Sequence, residues 1–258
     1  MGHICKFTIS VLSIFLCLLL SAQVKKYTTA NAHSHNDYLN PSPFILAFEN
    51  EFGSIEADIF PVGDRLLVAH HKEEIKAQNT LRNLYINPIL KAFKMKGPRK
   101  LNLLIDIKEN NAVSLALLIK ELKPLKKYLR TTHKPNFLTI TISGNRPPPS
   151  AYKDYPDYIF FDDDLILPHT QAEWSRVSLV SLPLYKIILW KGIDSLPLKD
   201  KNKWKHMIDS VHTAGKPIRF WSAPDTKNSW KWQMILQADL IGTDKINELA
   251  EFIKTENN

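Results

Sequence analysis

Ser54-Ile55-Glu56-Ala57-Asp58-Ile59-Phe60 alternates aliphatic residues with two carboxylates. On a β-strand successive side chains leave opposite faces, so Glu56 and Asp58 share one face while Ile55, Ala57 and Ile59 share the other. Two carboxylates aimed at one spot repel unless something positive lies between them, and together they can grip one hard cation. The alternation with three aliphatic residues reads as a strand of a closed barrel rather than as a solvated edge.

Working outward, short apolar or β-branched runs alternate with helical stretches, the signature of repeated β-α units and a parallel sheet. About eight strands are expected: Thr28–Ala32, Ser54–Phe60, Leu101–Ile107, Phe137–Ile142, Tyr158–Phe161, Ser178–Leu182, Ile218–Trp221 and Leu240–Gly242. Helices are expected over Pro43–Phe52, Ala112–Leu122, Lys201–Ala214 and Ser229–Gln237. Eight such units predict an α/β fold, a single-domain TIM-type (β/α)8 barrel with its site at the carboxyl ends of the strands. The polar exceptions gather there: His35 follows strand one, Glu56 and Asp58 end strand two, Asp106 and Lys108 end strand three, and Trp221 ends strand seven. Leu66 to His70 reads as an extra extended segment returning after the Gly63-Asp64 turn, bringing His70 to the same rim. Asp106 interrupts Leu103-Leu104-Ile105 and needs a metal or Lys108 to compensate its burial.

The chain of 258 residues suits one domain, with no composition shift to mark a second. Met1 to Ala22 combines Lys6, an apolar run from Phe7 to Leu20 and the small pair Ser21-Ala22, which reads as a secretory signal peptide; the run falls short of the ~20 residues of a membrane span. Residues 1–22 are thus expected to be cleaved, leaving residues 23–258 as the barrel, extracytoplasmic: secreted, periplasmic or at the cell surface. Cys5 and Cys17 lie in that leader, so the mature chain is expected to lack thiols and disulfides. Leu16 before Cys17 weighs against lipid attachment. The formal net charge of +8 is spread along the chain, which suits an anionic substrate, peripheral contact with a membrane surface, or plain solubility. No binding motif or basic-aromatic stripe points to nucleic acid.

The ordered set His35-Asn36, Glu56-x-Asp58, Leu67-Val68-Ala69-His70 and Asp106-Ile107-Lys108 resembles the glycerophosphodiester phosphodiesterase and phospholipase C-like superfamily. His33-Ser34-His35-Asn36-Asp37-Tyr38, Ser143-Gly144-Asn145-Arg146-Pro147 and Arg219-Phe220-Trp221-x-x-Pro224-Asp225 are most similar to a phosphatidylinositol phospholipase C-like branch. The resemblance covers most of the chain after the leader. It implies a hydrolase of phosphodiesters, glycerophosphodiesters or phospholipid head groups, with a place in lipid metabolism. One divalent cation, Mg2+ or Ca2+, is expected on Glu56, Asp58 and Asp106, where it would ligate a phosphate oxygen and neutralise developing charge. His35 and His70 are expected to carry the two proton transfers, with acid and base unassigned. Asn36, Lys108 and Trp221 are expected to contact substrate, the first two through the phosphate and Trp221 by stacking on a head group, with a plug of the barrel top as the equal alternative for Trp221.

His33 shares a strand face with His35; His35 is preferred because it abuts Asn36 and lies nearer the rim. Of His70 and His71, the resemblance selects His70. The superfamily usually shows His-Arg-Gly where this chain has His35-Asn36-Asp37, and a glutamate where it has Asp106. The Asp106-x-Lys108 pairing is similar to the spider-venom phospholipase D branch. An adjacent substrate hydroxyl would give a cyclic phosphate and water an open-chain product; both stand. Two other readings compete. His33-x-His35 after a first barrel strand also resembles the opening of zinc-dependent amidohydrolases, although the fifth and sixth strands, ending near Phe161 and Leu182, supply no further histidines. A non-catalytic secreted barrel would hold glycans or lipid head groups with exposed Trp190, Trp204, Trp230 and Trp232.

Overall fold

The computed structural model describes residues 26–256. The expected leader, residues 1–22, and both cysteines fall outside the described residues. Nine strands form one sheet: β1 (Ala32–Ser34), β2 (Ser54–Val62), β3 (Arg65–Val68), β4 (Leu101–Ile107), β5 (Leu138–Gly144), β6 (Ile159–Asp163), β7 (Val177–Pro183), β8 (Ile218–Trp221) and β9 (Ile241–Thr243). Eight run parallel in the order β8-β7-β6-β5-β4-β2-β1-β9, and β3 hangs antiparallel from β2. A bridge between Arg219 and Leu240 joins β8 to the approach of β9, with Asp239 N donating to Ile218 O at 2.9 Å. The sheet therefore closes into the expected (β/α)8-type barrel, with its joint between β8 and β9, a single bridge, the thinnest in the ring.

The helices are α1 (Ile45–Glu49), α2 (Asn87–Met95), α3 (Asn111–Glu121), α4 (Gln171–Ser175), α5 (Leu198–Thr213), α6 (Lys227–Leu236) and α7 (Ile246–Glu256). The shell is uneven: α1 and α4 are single turns, and only a 3-10 segment, Pro149–Asp154, links β5 to β6. Ile55, Ala57 and Ile59 of β2, with Leu103, Ile105 and Ile107 of β4, join the apolar core between sheet and helices. The barrel's own interior is polar. Thr141 Oγ1 donates to Asn102 Oδ1, Asn102 Nδ2 to Ser54 Oγ, and Ser54 meets His33 Nδ1 at 2.8 Å, so a hydrogen-bonded string crosses from β5 to β1. Buried polar groups of this kind hold only while each has its partner.

The first strand departs from expectation. Thr28 does not begin it; its side chain caps a 3-10 turn at Thr29–Asn31, accepting from Ala30 N, and the strand starts at Ala32. His33 and Ser34 are therefore inside the strand, and His35 follows it. The extra segment after Gly63-Asp64 is the hairpin strand β3, which ends at Val68, so His70 and His71 lie in the following loop rather than on opposite strand faces. The exposed-tryptophan reading fails: Trp204 is 0% and Trp230 1% exposed, with Trp204 edge-on to Phe220 at 5.6 Å beneath the barrel wall, and Trp190 and Trp232 are half-buried against the core. None of the helices among the described residues is long and apolar enough to cross a membrane.

Candidate active site

The strand register brings the three carboxylates together. Asp58 stands beside Asp106 across β2 and β4, and Asp106 beside Ser143 across β4 and β5. Because side chains repeat every two residues, Glu56 lies on the same face one step below Asp58. One oxygen from each of Glu56, Asp58 and Asp106 falls within 4.8 Å of the others. A single hard cation with oxygen bonds of about 2.0–2.6 Å can span such a set.

Each carboxylate is pinned from outside the cluster. Asp58 Oδ2 accepts from Tyr38 Oη at 2.7 Å and Lys108 Nζ at 2.7 Å, and lies 3.2 Å from His70 Nδ1. Its other oxygen, Oδ1, is buried without a hydrogen-bond partner. Asp106 accepts from Lys108 Nζ at 3.0 Å and from Ser143 Oγ at 3.1 Å. Glu56 Oε2 receives His33 Nε2 at 2.8 Å and Arg219 Nη1 at 2.9 Å, and the same guanidinium holds Ser181 Oγ. Three carboxylates thus face two fixed cations, Lys108 and Arg219. An all-oxygen donor set, one orphaned buried oxygen and one surplus negative charge fit a divalent cation of the Mg2+ or Ca2+ kind.

The acid-base balance of the cluster follows from those contacts. Burial opposes ionisation of Glu56, but Arg219 and His33 outweigh it and hold its carboxyl well below the usual range. Burial pushes Asp58 up, aided by the charges of Glu56 and Asp106 against the pull of Lys108. Burial also works against the charge on Lys108, yet Asp106 and Asp58 raise its pKa overall. His33, fully enclosed beside Arg219, is pushed down to about 4 and is neutral at physiological pH.

His33 and His35 therefore separate by environment. Both ring nitrogens of His33 are occupied, at Ser54 and Glu56, and a guanidinium lies against it. It holds Glu56 and offers no lone pair, so His33-x-His35 is not a zinc ligand pair. His35 Nδ1 lies 2.8 Å from Asp244 Oδ1, an arrangement that leaves Nε2 available on the cavity side. Burial lowers the affinity of His35 for a proton, but the Asp244 hydrogen bond and the nearby charge of Glu56 reverse this and raise its pKa. His70 uses Nδ1 toward Asp58 and Tyr38, which again leaves Nε2.

His35, Glu56, His70, Asp106, Lys108 and Trp221 all line one cavity of about 620 Å3 at the carboxyl ends of the strands. Asp58 lies beneath them. Asn36 sits in a left-handed turn at φ 46°, its amide 3.0 Å from His35 Nδ1 and its oxygen accepting from Tyr38 Oη at 2.9 Å. It contacts the two side chains that flank the triad rather than projecting freely to a phosphate. Trp221 is 38% exposed at the rim, edge-on to Tyr185 at 5.6 Å, so it caps the opening without plugging it.

Several residues that the sequence motifs quoted without a role turn out to build the site. Arg219, quoted only as the start of the Arg219-Phe220-Trp221 motif, is a buried cation on β8 that reaches Glu56 on β2. Tyr38 ties Asp58 to Asn36. Asp37 is buried, accepting from Ser34 Oγ at 2.7 Å, Phe44 N at 2.5 Å and Tyr85 Oη at 3.0 Å, and so fixes the turn that carries His35 and Asn36. Asp225 binds Thr243 Oγ1 and Asp244 N, which places the carboxylate that orients His35. Opposite the triad, Asp162 is buried beside Arg219 and Ser181, and burial pushes its carboxyl up to about 7.

Comparison with known proteins agrees with this fold. The family described as an AIM6-like phosphodiesterase domain matches residues 22–101, the stretch that contains His35, Glu56, Asp58 and His70. An altered inheritance of mitochondria protein 6 homolog from Arthroderma benhamiae is 30% identical over 119 residues, 36% of this chain and 38% of that protein. The chain thus spans well under two thirds of that relative. Among solved structures, a glycerophosphodiester phosphodiesterase from Parabacteroides distasonis superposes with a TM-score of 0.59 at 14% identity, covering 88% of this chain and 99% of the other. A calcium-dependent phosphoinositol-specific phospholipase C from Pseudomonas sp. gives 0.57 at 9% identity, covering 86% and 91%. The barrel expected from sequence is borne out, and the match over residues 22–101 is in keeping with the expected resemblance.

Proposed function

We propose that this chain is a phosphoric diester hydrolase in which Glu56, Asp58 and Asp106 hold one divalent cation and His35 and His70 move the protons. The observation that carries the reading is the convergence of three carboxylates, one with a buried unpartnered oxygen, between two histidines whose Nδ1 atoms are already engaged by aspartates. The cation would supply charge neutralisation at a bound phosphate oxygen. The chain supplies the rest. Asp244 and Asp58 orient the imidazoles so that each presents Nε2, one to take the proton of the attacking oxygen and one to return a proton to the leaving oxygen. Lys108 Nζ, between Asp58 and Asp106, holds those ligands in place and adds positive charge beside the phosphate. Trp221 bounds the head-group side of the cavity.

The substrate class is an anionic phosphodiester, including phospholipids met in peripheral contact with a membrane, and the chain is extracytoplasmic after loss of residues 1–22. The calcium dependence of the phospholipase C neighbour makes Ca2+ the first ion to test, with Mg2+ second. The test is cleavage of glycerophosphodiesters, lysophospholipids, sphingomyelin, phosphoinositides and a chromogenic diester, with and without chelator and with each ion restored. Chelator-sensitive turnover is expected, and the phosphorus spectrum of the product distinguishes a cyclic phosphate from an open-chain one. Folded protein that cleaves none of these with any ion restored overturns the reading. Residues 23 onward at the amino terminus of protein recovered outside the cytoplasm would support the location, and retention of Met1 would oppose it.

A further inference from the structure

The cavity mouth is bordered by apolar side chains that protein leaves uncovered. After β6, Leu165, Ile166 and Leu167 are consecutive and exposed, with Ile166 at 72%. After β7, Leu189 and Ile193 are each 79% exposed. Ile166 lines the cavity from one side, and Lys186 and Ile187 line it from the other, so the two loops face each other across the opening. Exposed aliphatic residues are ordinary when scattered; gathered around one opening they mark a contact surface.

The loops hold these side chains outward by specific bonds. Gly192 O accepts from Thr226 Oγ1 at 3.1 Å, and Asp194 O accepts from Asn228 Nδ2 at 3.0 Å and Trp190 Nε1 at 3.1 Å. The turn bearing Leu189 and Ile193 is thereby fastened to the start of α6. Leu165 N and Ile166 N donate to Asp163 and Asp164 at 2.7 and 3.2 Å, which fixes the other turn. Lysines accompany the aliphatics: Lys186 and Lys191 on the loop and Lys199 at the start of α5 are exposed and have no ion-pair partner among the described residues, against one exposed carboxylate on that loop, Asp194. Asp164, the acid nearest them on the β6 loop, is neutralised by Arg146 at 2.9 Å.

We infer that these two loops dock the barrel mouth onto an anionic lipid surface, with Leu165 to Leu167, Leu189 and Ile193 entering the interface and the three lysines meeting head-group charge. Aliphatic side chains flanked by lysine have this dual affinity, one part from apolar burial and one from the negative surface potential. A bilayer, rather than a second copy of this chain, fits because the excess charge on the loops and on the whole chain is positive, and like charges would oppose self-association. The inference rests on the phosphodiesterase reading only in that the docked face is the one that opens into the cavity.

The test compares the full chain with the Leu189→Ser/Ile193→Ser double variant in sedimentation with phosphatidylcholine vesicles, with and without one third phosphatidylglycerol. Residues 1–22 are common to both proteins, so any difference belongs to the loops. Binding to the anionic vesicles is expected to fall about tenfold or more in the variant, given the apolar area withdrawn. It is also expected to weaken with added salt. Turnover of a soluble chromogenic diester is expected to stay unchanged, since neither residue lines the cavity. Equal vesicle binding by both proteins overturns the inference, as does a concentration-dependent dimer of the wild type that the variant abolishes without any vesicle binding. Loop-dependent binding together with no diester cleavage would leave the docking surface standing and remove the catalytic reading instead.

Discussion

Asp58 is the residue on which the site turns. One oxygen carries Tyr38, Lys108 and His70 while the other is buried and unpaired, so a neutral amide there keeps the outer bonds and removes the charge facing the cluster. Asp58→Asn, with Glu56→Gln and Asp106→Asn, is expected to lower divalent-cation affinity at least about tenfold, as loss of a charged ligand to a hard ion should. The fold should persist, and calorimetric titration against circular dichroism checks both. Wild-type affinity in all three variants would remove them as ligands. Asp162 makes a separate prediction. Its carboxyl titrates near 7 when folded against 3.8 for a free one, so the native state holds the proton longer than the unfolded state. Stability should therefore fall as pH rises from about 4 to about 7 and level off above. Asp162→Asn should flatten that slope and gain a few kcal/mol over wild type at pH 8, read from urea midpoints at pH 4, 6 and 8.

Among elements, the end of β5 shows how closely the site is packed. Gly144 has φ +69°, and a Cβ there would lie 2.5 Å from Asp106 Oδ1 and 2.6 Å from Ile107 O. Gly144→Ala must shift either Asp106 or the end of β4, so it should weaken cation binding about as much as Asp106→Asn and cost roughly 1–3 kcal/mol through backbone strain. Unchanged metal affinity in that variant would mean that β5 yields instead. Legibility in the sequence divides along the same line. β4 and β8 were read to the residue, because Leu101–Ile107 is a mostly aliphatic run after Gly97-Pro98 and Ile218–Trp221 a short aromatic-rich one after Pro217. The triad was readable because its members sit at fixed steps on adjacent strands. The roles of Arg219 and Asp244 were not, since their partners Glu56 and His35 are far away in sequence and only barrel closure brings them near. Trp204 was misread because its helix carries many lysines, and α7, whose Ile246, Leu249 and Phe252 pack inward, was missed at the chain's polar end.

At the scale of the molecule, the described barrel stores electrostatic cost at its centre and has a way to release it. Filling the triad with a cation should stabilise the fold by about 2.7 kcal/mol at a hundred times Kd. For a chain of this size each kcal/mol raises Tm by ~2–4 °C, so a shift of several degrees is expected on adding Ca2+ or Mg2+, reversed by chelator and absent in Asp58→Asn. No shift with either ion at millimolar concentration would argue that Lys108 and Arg219 already suffice.

The thin joint between β8 and β9 has a mechanical meaning. A hoop with one weak weld opens there first, and here the braces across the gap are the functional groups themselves. Arg219 reaches from β8 to Glu56 on β2, and Asp225, beyond β8, clasps Asp244, which steadies His35. Mild heating or dilute denaturant that parts this weld would disperse the candidate site while most of the hoop still held its shape.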